Sequence, residues 1–271
     1  MNKESPLDLF DKRALLFLPA SNPRAIARAR ASDADLVILD LEDAVKPDDK
    51  EAAREAAVAA VAEQWPMPVA IRINGVASLW FDADVAAVAK SAAAMVVTPR
   101  TQGVDGVARV AAQTGKPVLA MIETAAGVLA APGIARVAQA LIAGTNDLAA
   151  DLRLPSGAGR QQMQMALQTV VLAARAAGVA AFDGVFNRLD DPDELAAECA
   201  DSRRLGFDGK SLIHPDQIAA CQAAFAPTPE EIARARRLIE AAGGGAERFE
   251  GAMVETMHVA AARRLLARSP H

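Results

Sequence analysis

Eight short apolar runs, each followed by a helix-forming stretch, constrain this chain more than any other feature of its sequence. The runs are Leu15–Leu18, Leu36–Leu39, Val69–Ile73, Met95–Thr98, Val118–Ile122, Leu141–Ala143, Ala180–Phe182 and Ser211–Ile213. Short continuous apolar segments are the pattern of strands buried on both faces. Between them lie helical patterns over Arg24–Ala31, Asp48–Gln64, Asp82–Ser91, Val104–Gln113, Pro132–Gln139, Gln161–Ala177, Asp193–Leu205 and Pro215–Ala224, rich in the strong helix formers Ala, Arg, Glu and Gln. Pro132 and Pro215 are expected in first turns, where the missing N–H is harmless. Eight strand–helix units in succession predict an α/β chain folded as a (β/α)8 TIM barrel over residues 1–226. A doubly wound open sheet also alternates strand and helix, but no GxGxxG follows the first strand. After Phe225 the pattern changes. Pro227-Thr228-Pro229-Glu230-Glu231 is a helix start, Ile232–Ala242 an extra helix, Gly243-Gly244-Gly245 a break, and Gly251–Arg268 a short strand or turn followed by a last helix. Residues 227–271 are too few for an independent domain, and we expect a C-terminal helical extension or flap on the barrel or on a neighbouring subunit.

Composition narrows the chemistry. The 271 residues are 52% hydrophobic and carry a net charge of −5, which argues against disorder and against a general nucleic-acid binder. No apolar stretch is long enough to span a membrane, and the opening Met1-Asn2-Lys3-Glu4-Ser5-Pro6 has no apolar core of a secretory signal. Cys199 and Cys221 form no disulfide framework or metal-ligand spacing. A cytoplasmic enzyme is therefore the expectation. Tyrosine is absent, and His214, His258 and His271 are the only histidines, so a histidine-rich metal site is hard to build. A metal here is expected on carboxylates, which suits Mg²⁺ or Mn²⁺.

Charged residues cluster where the apolar runs end. The second run leads into Asp40-Leu41-Glu42-Asp43, the third contains Arg72 and reaches Asn74, and Arg100, Glu123, Asn146, Asp147, Asp183 and His214 follow later ones. In a parallel barrel all these ends face one mouth. Glu123 and Asp147 lie one strand–helix unit apart, so they are expected at like positions on strands about 4.8 Å apart. There two carboxylates can share one ion at about 2.0–2.1 Å and leave its other positions to water and substrate. The alternative is that each caps the helix that follows it. Arg72 lies inside an apolar strand and needs carboxylates or an anionic ligand, since an unpaired buried charge is costly. Asp40, Glu42 and Asp43 are candidates for its partners or for a shell around metal-bound water. His214 reads first as a structural residue, and Arg13, Arg24 and Lys50 are candidate phosphate contacts with surface solvation as the alternative.

With these residues in view, the chain resembles the citrate lyase beta-subunit-like family of the HpcH/HpaI aldolase superfamily, in particular its stand-alone members. The resemblance is carried, in order along the chain, by Arg13–Pro19 (RALLFLP), Ala34–Val45 (ADLVILDLEDAV), Lys50–Arg54 (KEAAR), Ile71–Asn74 (IRIN), Val97–Arg100 (VTPR), Ile122–Gly127 (IETAAG), Gly144–Leu148 (GTNDL), Ala181–Val185 (AFDGV), Gly206–Gln217 (GFDGKSLIHPDQ) and Phe225–Ile232 (FAPTPEEI). It implies a (β/α)8 barrel assembled as a homotrimer or dimer of trimers, with Glu123 and Asp147 as magnesium ligands. It implies Arg72 as the catalytic and substrate-binding arginine; the residues themselves add Arg13, Asp40 and Glu42 as candidates for the substrate site, with Asp43 behind them. The implied activity is cleavage or formation of a carbon–carbon bond between an acyl-CoA and a 2-keto acid, on substrates such as citryl-, malyl- or citramalyl-CoA. A malyl-CoA-type thioesterase, a keto-acid- and metal-binding barrel without turnover, and a CoA-independent aldolase are the alternatives. The resemblance also implies an acid–base carboxylate in the C-terminal segment. The family commonly carries Gly-(Lys/Gln)-Met-(Val/Ile)-Asp there, whereas this chain has Gly251-Ala252-Met253-Val254-Glu255, which makes Glu255 the candidate. Arg100 replaces the family's usual lysine and Asn146 its usual glutamate.

Overall fold

The computed structural model describes residues 8–242 and 247–268. The glycine run 243–245, the first six residues and His271 lie outside them. Eight strands pair in sequence order as a closed parallel barrel: β1 (Ala14–Pro19), β2 (Leu36–Asp40), β3 (Val69–Arg72), β4 (Met95–Thr98), β5 (Val118–Ile122), β6 (Ala140–Ala143), β7 (Ala180–Asp183) and β8 (Gly209–Leu212). β8 closes on β1 with Lys210 opposite Ala14 and Ser211 opposite Leu15. The closure needs a glycine, because a Cβ on Gly209 would stand 2.6 Å from Arg13 Cα and 2.7 Å from its carbonyl carbon. Among the described residues, no helix is long and apolar enough to cross a membrane.

The barrel interior is one apolar cluster, drawn from alternate positions along the strands. Leu15 and Phe17, Leu36 and Ile38, Met95 and Val97, Leu119 and Met121, Ala140 and Ile142, and Ala180 and Phe182 all belong to it, as does Ala70. Strand side chains alternate between faces. A residue two positions beyond the last interior one therefore shares the inner face, at the mouth, and a residue one position beyond it points to the helices. Asp40, Arg72, Glu123 and Gly144 have the inner parity, whereas Asp183, directly after Phe182, has the outer one.

Helices follow the strands as α1 (Pro23–Arg30), α2 (Lys50–Ala62), α3 (Phe81–Lys90), α4 (Val104–Thr114), α5 (Ala125–Ala135), α6 (Thr145–Asp151), α7 (Gln164–Ala177), α8 (Pro192–Leu205) and α9 (Ile218–Phe225). Two differ from expectation. α5 starts seven residues before Pro132, because Thr124 caps it by accepting the Gly127 N–H at 3.0 Å, so the proline stands inside the helix. An interior proline costs about 3 kcal/mol; here the helix also buries Val128, Ala131, Ile134 and Ala135. α6 is a short helix built from the residues after β6 that carry the expected mouth loop.

Internal contacts divide the chain into two compact units between Ala224 and Phe225. The second contains α10 (Pro229–Ala241), a hairpin of β9 (Glu247–Phe249) and β10 (Ala252–Val254), and α11 (Thr256–Ala267). Its start is a capping box, with Thr228 Oγ1 accepting the Glu231 N–H and the Glu231 carboxylate accepting the Thr228 N–H. Ala235, Leu238, Val254 and Ala262 form its small core.

Candidate active site

At the mouth end of β3, Arg72 is almost fully buried and donates in parallel to one carboxylate, Nε to Asp40 Oδ1 and Nη2 to Asp40 Oδ2, both at 2.6 Å. Asp40 is fixed in turn by the N–H groups of Glu42 (2.8 Å) and Ala44 (3.0 Å). Arg72 Nη1 lies 2.9 Å from Glu42 Oε2 without hydrogen-bond alignment, so this is a charge contact only. The guanidinium also stands 5.4 Å from the centre of the Phe17 ring. The carboxylates around Arg72 hold its pKa above the ordinary arginine value despite burial. The buried partner Glu42 is also raised, which for a carboxyl favours the neutral form. Burial outweighs the attraction of Arg72 and raises its carboxyl to about 8.

Glu123 follows β5 directly and is buried. Its opposite number on β6 is Gly144, since Ile122 pairs with Ala143. A Cβ on Gly144 would fall 2.5 Å from Glu123 Cβ and into its carboxylate, so the glycine makes the space the glutamate occupies. Asp147 is not on β6, contrary to the expectation of like positions; it stands in the first turn of α6. Both carboxylates meet Arg100, the residue after Pro99 at the end of β4. Its backbone N–H donates to Glu123 Oε1 and its Nη1 lies 2.9 Å from Asp147 Oδ1. Burial raises the Glu123 carboxyl to about 7, against the pull of the Arg100 N–H and of Arg72. Phe17, Asp40, Arg72, Met121, Glu123 and Asp147 line one cavity of about 390 Å³ at this mouth, and exposed Asp43 stands on its rim. Among the described residues, no three acidic, histidine or cysteine side chains cluster as a ready-made metal cage.

Other expected site residues have different work. Arg13 precedes β1, at the opposite end of the barrel from the mouth. A strand of six residues at about 3.3 Å each separates it from the site by about 20 Å. Its N–H donates to Asp35, and it is removed from the substrate set. Lys50 spends its ammonium on Leu41 O, Glu42 O and Asn74 Oδ1, each at 2.7 Å, which leaves none for a phosphate. Asn74 is held by Asp84, and Asp84 by Arg54, so a buried chain from α2 and α3 fixes the loop after β2. The signal for this chain is Asp84 itself, a carboxylate among the inward positions Phe81, Val85 and Val88 of α3. Asp183 does not face the mouth. It lies under α8 with Lys210 Nζ at 2.8 Å, Arg160 Nη1 at 3.0 Å and Ser202 Oγ at 2.5 Å. His214 accepts the Asp216 N–H at 3.3 Å as a cap, and Arg24 is exposed in the first turn of α1. In the second unit, Glu255 caps α11. Its backbone carbonyl accepts the His258 N–H at 2.9 Å, and its own N–H donates to His258 Nδ1 at 3.0 Å.

Residues 13–215 match the model of the HpcH/HpaI aldolase/citrate lyase family. The chain belongs to that family. It is 38% identical over 268 residues to a (3S)-malyl-CoA thioesterase of Cereibacter sphaeroides, covering 95% of this chain and 94% of the relative. It is 31% identical over 283 residues to the citrate lyase subunit beta of Escherichia coli K12, covering 95% and 93%. Among solved structures, this HpcH/HpaI chain is similar to CitE of Mycobacterium tuberculosis in complex with magnesium, acetoacetate and coenzyme A, with a TM-score of 0.86, 34% identity, and 96% and 99% of the two chains covered. The citrate lyase beta subunit of M. tuberculosis complexed with oxaloacetate and magnesium gives a TM-score of 0.74 at 34% identity, covering 82% of this chain and 100% of that one.

Proposed function

We propose that this chain is a magnesium-dependent carbon–carbon lyase that splits a malyl-CoA-type thioester into a short acyl-CoA and a 2-keto acid. The observation that carries the reading is one mouth with Glu123 and Asp147 on one side and an Arg72–Asp40 pair on the other. Two carboxylates suit Mg²⁺, which keeps most of its octahedral positions for water and ligand oxygens. Gly144 leaves room for Glu123, and the two solved relatives bind magnesium together with 2- or 3-oxo acids. Mn²⁺ is the close substitute. When bound, the ion supplies Lewis-acid polarisation of the oxygens of the keto-acid half.

The chain's own residues do the rest. Arg72 stays charged and is oriented by two parallel bonds to Asp40, so its field is fixed before negative charge develops on the ligand oxygen. In the cleavage direction the substrate hydroxyl loses its proton and the adjacent carbon–carbon bond breaks. The electron pair passes to the thioester half, which is then protonated at carbon. Glu255 is the acid–base group we assign, within a homotrimer or dimer of trimers. The identity to malyl-CoA thioesterases favours a second reading at the same site, in which water attacks the thioester carbonyl and the thiol leaves.

Incubation with malyl-, citramalyl- and citryl-CoA, with Mg²⁺ or EDTA, separates these readings. Keto acid plus acyl-CoA is expected, dependent on Mg²⁺ and lost in Glu123→Ala and Asp147→Ala. Hydroxy acid plus free thiol would select the thioesterase. Turnover that survives EDTA or either substitution would refute the site.

A further inference from the structure

We infer that Arg100 is this chain's own occupant of the divalent-cation site, a built-in counter-ion that the metal displaces, and that it thereby sets the metal affinity. The inference rests on the magnesium reading above.

Arg100 touches both carboxylates with two different groups. The backbone N–H is aimed at Glu123, and the guanidinium takes Asp147. The aim of the N–H is built into the chain, because Arg100 has φ +45°, a conformation that residues with a side chain seldom adopt. The two groups differ in what a metal requires of them. A backbone N–H uses one lone pair of Glu123 and leaves others for an ion. The guanidinium is a full positive charge at 2.9 Å from an oxygen the ion needs, so the two cations exclude each other.

The guanidinium is also able to leave. Its side chain is 50% exposed and Asp147 35%, so the pair is weakly held, unlike the buried Arg72–Asp40 pair. It has somewhere to go. Asp147 lines the cavity described above, but Arg100 lines a second one, beside Trp80, Glu42 and Asp43. A swing from Asp147 towards Asp43 exchanges one carboxylate for another across the wall between the two cavities.

The test is Mg²⁺ titration by calorimetry into the full chain, as wild type and as Arg100→Ala, Arg100→Lys and Arg100→Gly. Arg100→Gly accommodates the positive φ and guards against a folding defect in Arg100→Ala. Removing the charge is expected to tighten Mg²⁺ binding about two- to five-fold, the range of an exposed ion pair, with Arg100→Lys closer to wild type. Metal binding by the variants but not by wild type would be the extreme form of the same result. Unchanged or weaker binding in both Arg100→Ala and Arg100→Gly, with wild type still binding, would overturn the role of Arg100 and leave the metal site standing. No binding by any of the four proteins would overturn both.

Discussion

Replacing Gly144 by alanine tests the geometry of the site most directly, because the mutation adds one methyl group and no charge. The new Cβ would stand 2.5 Å from Glu123 Cβ and 3.1 Å from its carboxylate carbon, where ordinary contact begins near 3.4 Å. Something must therefore move by about 0.9 Å. The backbone at Gly144 has little freedom to do so, since the Gly144 N–H donates to Ile122 O at 3.0 Å inside the β5–β6 ladder. The shift falls on the chain at Glu123, whose Cβ moves only with its backbone and carries the carboxylate with it. Overpacking of this kind costs about 1–3 kcal/mol, which for a chain of this size lowers Tm by about 2–4 °C per kcal/mol. Mg²⁺ holds its ligands at about 2.0–2.1 Å with near-ideal geometry, so a carboxylate displaced by that much no longer serves it. We expect Mg²⁺ affinity to fall on the order of 10–100-fold, the loss seen when the support of a metal ligand is removed. Calorimetric titration and a thermal melt of the same sample read both effects. A Gly144→Ala protein that binds Mg²⁺ with wild-type affinity would show that Glu123 does not occupy the space above Gly144, or is no ligand.

Three further outcomes follow from the same contacts. Arg72→Met strands Asp40 and Glu42 in the interior, so stability in urea should fall by about 3–5 kcal/mol and be partly restored by adding Asp40→Asn, with activity absent in both; a fully stable Arg72→Met would contradict the pairing. Glu123, raised to about 7, is largely protonated below that pH and must lose its proton to solvent before it can hold a metal, so apparent Mg²⁺ affinity should climb by up to about tenfold between pH 6 and 8, and a flat calorimetric profile would exclude Glu123 as a ligand. Lys210→Met should cost about 3–5 kcal/mol by leaving Asp183 short of a partner. Burial by itself would raise the Asp183 carboxyl, but Lys210 and Arg160 hold it below its ordinary 3.8, and they make its contribution full above that pH and lost as pH falls further. Lys210 is held above its ordinary 10.5, so its contribution is full below that pH and lost as pH rises through the raised value. The Lys210→Met penalty in a scanning calorimeter should therefore stay constant from about pH 4 to 10.

Much of the barrel is legible in the sequence because its strands are buried on both faces. Burial on both faces forces continuous apolar runs, and the eight runs match the eight strands within two residues at either end. The site is legible only in part. Period-two alternation puts Asp40, Arg72 and Glu123 on the inner face, two positions beyond Ile38, Ala70 and Met121, and the same rule turns Asp183 outward beyond Phe182. The alternation is local, but strands apolar on both faces do not say which alternate set faces the barrel interior, and the strand-end pattern therefore grouped Asp183 with the mouth residues. What no local pattern contains is which group from another segment fills the space a residue leaves. Gly144 is open to Glu123 only because Ile122 registers with Ala143, and Asp147 reaches the mouth from a helical turn, not from a strand. Lys50 is drawn away from the solvent by three acceptors on the loops after β2 and β3, segments its own sequence neighbourhood does not reveal. Arg13 has the charge for an anion site but stands at the wrong end of its strand. The sequence by itself determined the eight strand–helix units and the clustering of charged residues at the strand ends, because burial and strand geometry act over a few residues. Only the tertiary structure decided which of those charges meet, because electrostatic pairing and close approach depend on the register between strands far apart in the chain.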